Sequence, residues 1–127
     1  MTLRTTKHWI GVALNCPDAR ELARFYARLL GWRVFTDSHE WATLAPSEDA
    51  GYNLAFQTDP DFTPPVWPTE AGKQQMSMHL DIEVDDLEQA VAHAVEAGAE
   101  EASFQPQETV RVMLDPAGHP FCLYVED

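Results

Sequence analysis

Apolar and polar positions follow one plan that occurs twice along the chain. Ile10, Val12 and Leu14 alternate with Gly11 and Ala13, the period-two pattern of a strand with one covered face. Cys16, Pro17 and Asp18 then open a segment whose apolar residues Leu22, Phe25, Tyr26, Leu29 and Leu30 keep i, i+3, i+4, i+7, i+8 spacing up to Gly31. That spacing predicts an amphipathic helix, with proline near its first turn and glycine at its end. Three short β-like runs follow, over 33–36, 40–44 and 52–57. In the second half Met78 to Val84 alternates as a strand, and Asp85 with Glu88 makes a start resembling a capping box. Leu87, Ala90, Val91, Ala94 and Val95 form the second helical stripe before Gly98, and runs over 101–104, 109–114 and 121–125 complete the plan. Asp18 and Asp86 are 68 residues apart and Gly31 and Gly98 are 67 apart, so the halves match in register to within one residue.

Each half therefore reads as strand, helix, three strands. The segment between them, about 58–75, contains Pro60, Pro64, Pro65 and Pro68, which suits neither a helix nor a central strand. It reads as a linker between module one (about 8–57) and module two (about 76–127) within a single domain of 1–127. Each half of roughly 50 residues would be marginal alone. The predicted fold class is α+β: two βαβββ modules whose mixed sheet curls into a cup around a central cavity, with the helices on the outer face. Alternation assigns Trp9, Gly11, Ala13, Asn53, Ala55 and Gln57 to the inner face in the first module. In the second it assigns His79, Asp81, Glu83, Cys122, Tyr124 and Glu126. A polar series on an enclosed face points to a ligand pocket, although its outer members, Glu83 and Glu126, would also be explained by solvation at the sheet margin.

Charge narrows the partners. Eight Lys and Arg against 21 Asp and Glu give a formal charge of −13, which repels phosphates and argues against nucleic acid and anionic membranes. The acidity serves solubility, or it collects a cationic ligand in a groove. No stretch approaches the ~20 apolar residues of a membrane span, and no leader pattern precedes the first strand. With Cys16 and Cys122 far apart and no CxxC, reduced thiols in a cytoplasmic protein are expected. A glycine-rich phosphate cradle, a Ser-His-Asp order and an HExxH motif are all missing from the sequence.

Three segments, FYARLLGW after the first helix start, HLDIEVDDLEQAV opening the second half and DPAGHPFCLYV near the end, together with the internal repeat, carry a family resemblance. The chain resembles the glyoxalase-like branch of the vicinal oxygen chelate superfamily, which includes glyoxalase I, bleomycin resistance proteins and extradiol dioxygenases. The resemblance implies paired βαβββ modules around a cavity and a homodimer. It also implies four inward metal-ligand positions, which fall on Gly11, Ala55, His79 and Cys122. Only His79 is a usual donor there, so no cofactor is expected. A divalent metal would need a variant site completed by Gln57 or Asp81, and Asp81 lies about 6.5 to 7 Å along the strand from His79.

The candidate ligand-binding residues are Trp9, Trp41, Asn53, Gln57, Trp67, His79, Asp81, Cys122 and Tyr124. Trp9, Trp41, Trp67 and Tyr124 would supply planar walls for a flat ligand. Trp67, between Val66 and Pro68, reads either as a lid over the cavity mouth or as an anchor for the linker. His79 is the one candidate catalytic residue, a general acid or base, with simple hydrogen bonding to ligand or water as the plainer role. Cys122 reads as a packing thiol, because no Lys or Arg flanks it to favour a thiolate. His119 belongs to a turn-rich DPAGHP connection, His93 falls outside its helix's apolar stripe, and His8 and His39 join no constellation. The expected function is binding or sequestering a cationic or aromatic small molecule without the family's usual metal. The alternative is a lyase, isomerase or dioxygenase-type enzyme using His79, metal-free or with a nonstandard metal site.

Overall fold

The computed structural model describes residues 9–126, which leaves His8 outside the described residues. It contains two compact units, one ending at Phe62 and one beginning at Thr63. Both have the βαβββ plan and a four-stranded mixed sheet, so the fold is α+β with two similar modules.

In the first unit, β1 (Ile10–Cys16), α1 (Ala19–Leu30), β2 (Arg33–Asp37), β3 (Trp41–Ala45) and β4 (Tyr52–Thr58) make a sheet of order β1-β4-β3-β2. The first and last strands run parallel as neighbours, and the remaining pairs are antiparallel. Local chemistry sets the limits of α1. The Asp18 carboxylate accepts from the backbone N–H groups of Arg20 and Glu21 at 3.0 and 3.4 Å, satisfying donors that an α-helix leaves open at its start. Gly31 ends the helix in the left-handed region, φ 72°, and donates to the carbonyl of Ala27. Between these caps Leu22, Phe25 and Tyr26 are buried together with Leu44, Leu54 and Phe56 of β3 and β4. Tyr26 stacks on Phe56 with ring centroids 5.6 Å apart, and Phe25 meets Tyr26 edge-on at 4.7 Å. The opposite face carries Gly11, Ala13, Trp41 and Gln57, all exposed, and the buried Ala55.

In the second unit, β5 (Leu80–Glu83), α2 (Leu87–Ala97), β6 (Glu100–Glu101), β7 (Val110–Leu114) and β8 (Pro120–Tyr124) repeat the order as β5-β8-β7-β6. The cap of α2 is Asp86, one residue beyond the expected Asp85. Asp86 has the extended backbone a cap requires, and its carboxylate accepts from Gln89 N–H at 3.0 Å. Only Ala94 and Ala97 of α2 are buried, and Val95, expected in the stripe, is 49% exposed. The sixth strand is two residues long rather than spanning 101–104. The side-chain amide of Gln105 takes over the pairing, donating to the carbonyls of Ala102 and Val112 and accepting from Val112 N–H, each at 2.8 Å. Met78 and His79 precede β5 instead of lying within it.

The proline-rich segment from Thr63 onward runs with the second unit. Val66 N–H donates to Gln74 O at 2.9 Å, the Trp67 indole N–H donates to Phe104 O at 3.1 Å, and the two rings lie 6.0 Å apart. Gly118, at φ 94°, lies so close to Pro64 that an added Cβ would come within 2.8 Å of the proline Cβ.

Candidate functional site

The second module brings together the largest group of the candidate residues. β5 and β8 are parallel neighbours with Asp81 opposite Cys122 and Glu83 opposite Tyr124. β7 adds Val112 opposite Cys122 and Val110 opposite Tyr124. The alternate residues of β8, Phe121 and Leu123, are buried, which leaves Cys122 and Tyr124 on the other face. His79 sits at the entry to β5, where the chain is not yet held to the sheet's pleat. Its Nε2 lies 3.0 Å from Asp81 Oδ1. A strand rise of about 6.5 to 7 Å over two residues separates the backbones, yet the two side chains lean together. A nitrogen of His79, an oxygen of Asp81 and the sulfur of Cys122 lie within 4.8 Å of one another.

Two depressions share His79 and Cys122 of this trio. An apolar recess of about 180 Å³ is lined by Trp67, Met76, Pro106, Val110, Val112 and Pro120 together with His79, Gln107 and Cys122. A more polar depression of about 280 Å³ shares His79, Gln107, Val110 and Cys122 and adds Asp81, Thr109, Tyr124 and Val125. Trp67 is a fixed wall of the recess, tied to Phe104 by its indole hydrogen bond, which favours the anchor over the lid. Met76, Pro106 and Gln107 escape sequence reasoning because they lie in irregular segments without periodicity. Val110 and Val112 were recoverable in principle from the pairing of β7 with β8.

The electrostatics are negative. Burial pushes the Cys122 thiol above its ordinary pKa, and the Asp81 charge and a hydrogen bond to that carboxylate push it the same way. The thiol is protonated at neutral pH, which disfavours a nucleophilic role. Tyr124 is raised as well, first by lost hydration and then by the charges of Glu83, Glu126 and Asp81.

The other candidates lie in the first module. Trp9 precedes β1, Trp41 pairs with Gln57 across β3 and β4, and Asn53 pairs with Gly11 across β4 and β1. By strand alternation these share the sheet face away from α1. Of the four positions implied by the resemblance, Gly11 and Ala55 offer no donor atom. A Cβ at Gly11 would lie 1.9 Å from Asn53 Oδ1, so a side chain at residue 11 would require the Asn53 amide to turn aside. Ala55 is buried. The four-position metal set of the family therefore does not fit this chain.

The other described histidines, His39, His93 and His119, do not line either depression. The buried Asp115 carboxylate accepts from the N–H groups of Ala117 and His119, both at 2.9 Å, which makes the DPAGHP segment a closed turn. His39 Nδ1 lies 3.8 Å from the Asp18 cap, and His93 is exposed on α2. Cys16 and Cys122 are not joined by a disulfide. Among the described residues no helix is long and apolar enough to cross a membrane.

Comparison with known proteins gives the same fold. A glyoxalase/bleomycin resistance protein/dioxygenase family enzyme from Burkholderia phytofirmans superposes with a TM-score of 0.65 at 16% identity, covering 91% of this chain and 95% of that one. A glyoxalase family protein from Enterococcus faecalis gives 0.61 at 20% identity, covering 92% and 94%. The fosfomycin resistance protein FosX from Mesorhizobium loti gives 0.67 at 11% identity, covering 97% and 95%. At such identities the likeness is one of fold. Among curated proteins none matches the sequence. The profile of the glyoxalase-like domain matches residues 11–124, from the first strand of module one to the last strand of module two, and the chain belongs to that family.

Proposed function

We propose that this protein binds a small amphipathic molecule, cationic or aromatic, at the second module. The observation that carries the reading is an apolar recess beside a more polar depression that contains Asp81, with His79, Gln107, Val110 and Cys122 common to both. A flat or aliphatic group fills the recess against Trp67 and Met76, and a cationic or hydrogen-bond-donating group meets Asp81, near the charges of Glu83 and Glu126. The family's usual metal set is degenerate at Gly11 and Ala55, so recognition rests on these side chains themselves.

Calorimetric titration with matched aromatic compounds bearing a quaternary ammonium, a neutral or a carboxylate group tests this reading. The cationic member is expected to bind most tightly, with affinity falling as salt rises. Asp81 is 59% exposed, so its charge is screened, and Asp81→Asn is expected to weaken the cation by about two- to five-fold. Equal affinity for the three compounds would refute the part given to Asp81, and binding to none would refute the reading as a whole.

A second reading, a metal-free lyase or isomerase, is favoured by one distance: His79 Nε2 to Asp81 Oδ1 at 3.0 Å. Asp81 would orient the imidazole and leave Nδ1 to exchange a proton with substrate. Turnover abolished in His79→Ala, in a variant that keeps its far-ultraviolet spectrum, would establish it. Binding without turnover would leave the first reading in place.

A further inference from the structure

We propose that His79, Asp81 and Cys122 form a binding site for one thiophilic divalent cation of the zinc class, contained entirely in the second module. The site differs from the set implied by the family because Asp81 takes part and the first module contributes nothing. Three different elements of local structure converge on it: the entry to β5, the body of β5 and the neighbouring parallel strand β8.

The donor set decides the class of ion. One imidazole nitrogen, one carboxylate oxygen and one thiolate sulfur suit zinc, cobalt or cadmium, whereas magnesium, calcium and manganese favour oxygen-rich shells. Donor atoms within 4.8 Å of one another can close on a single ion with side-chain rotation alone, since metal–ligand bonds of about 2.0 to 2.3 Å allow donors up to roughly 4 Å apart. Asp81 and the deprotonated Cys122 balance the two charges of the cation, and coordination releases the thiol proton to solvent. Three protein donors leave a position for water or another ligand, as in catalytic zinc sites. The depression holding the trio also holds Tyr124, which feels the charges of Glu83 and Glu126, so the local field favours a cation. The site shares Asp81 with the ligand-binding reading above but does not rest on it. Metal and organic cation contend for that one carboxylate.

The test is a cobalt(II) titration of tag-free, chelator-treated full-length protein. One equivalent is expected to give visible d–d bands and a near-ultraviolet sulfur-to-cobalt charge-transfer band. That band is expected to vanish in Cys122→Ser, while His79→Ala and Asp81→Asn weaken binding at least tenfold. Magnesium at the same concentrations is expected to give no thermal stabilisation, whereas zinc raises the melting temperature. Cys16 is fully buried, so a charge-transfer band that persists in Cys122→Ser would assign the ion elsewhere and overturn the proposal. Lack of a charge-transfer band in the wild type would overturn it as well. If Cys122→Ser fails to fold, protection of wild-type Cys122 from iodoacetamide by zinc, but not by magnesium, decides the matter, and lack of that protection refutes the site. No organic ligand enters any of these readouts, so failure here leaves the ligand-binding proposal standing.

Discussion

Replacing Trp67 separates a fixed wall from a mobile flap. In the structure the indole N–H donates to Phe104 O at 3.1 Å and the two rings lie 6.0 Å apart, tilted by 42°. Trp67→Phe removes the hydrogen bond and keeps most of the apolar surface. Phe104 lies in an exposed stretch where its carbonyl can turn to water, so the expected cost is about 1 kcal/mol. Trp67→Ala also removes the ring. Full burial would put the loss at about 3 to 5 kcal/mol, and the partial exposure of Trp67 reduces that to roughly 2 to 3 kcal/mol. Urea denaturation followed by far-ultraviolet circular dichroism reads both variants without depending on indole fluorescence. With a slope of about 1 to 3 kcal/mol per molar, the alanine variant is expected to lower the unfolding midpoint by about 0.7 to 3 M. A double-mutant cycle with Phe104→Ala is expected to give a coupling of about 0.5 to 1.5 kcal/mol. A midpoint for Trp67→Ala within about 0.2 M of wild type would refute the anchor and restore the lid.

The side chain of Gln105 makes three hydrogen bonds at 2.8 Å, two of them to Val112, so Gln105→Ala is expected to cost about 2 to 3 kcal/mol and to speed amide exchange at Val112. Unchanged exchange at Val112 would show that the amide does not hold the edge of this sheet. For Cys122 the folded thiol titrates above the unfolded one, so its contribution to stability is complete at neutral pH and is lost as pH rises through the folded value. Iodoacetamide kinetics on metal-free protein are expected to show a midpoint above that of an ordinary thiol, and Asp81→Asn is expected to bring it down. A midpoint at or below the ordinary value would refute the effect of burial and of the neighbouring carboxylate.

The fold was legible in the sequence wherever local chemistry and periodicity agreed. For α1, Asp18, the apolar spacing from Leu22 to Leu30 and Gly31 all point to one helix with one set of ends, and the structure has it. The duplicated plan was equally plain, because both halves carry the same order at the same spacing. Legibility failed where a side chain does the work of a backbone. Gln105 substitutes for strand pairing, so the run over 101–104 contracts to Glu100–Glu101. It failed again at the site, where strand rise describes backbone separation and does not tell which way His79 turns. The walls from Met76, Pro106 and Gln107 carry no periodic signal, and only the folded chain brings them beside Cys122.

The parallel closure of each module has a consequence for engineering. Ala13 lies opposite Ala55 across β1 and β4 just as Asp81 lies opposite Cys122 across β5 and β8. Gly11 stands two residues before Ala13, as His79 stands two before Asp81. One half of the duplicated fold thus holds the blank template of the other: glycine and two alanines where the second half has histidine, aspartate and cysteine. Grafting the three polar residues onto the blank, with Asn53 shortened to clear residue 11, would ask whether the βαβββ frame alone is enough to assemble the trio, or whether its chemistry also needs the surroundings that only the second copy has acquired.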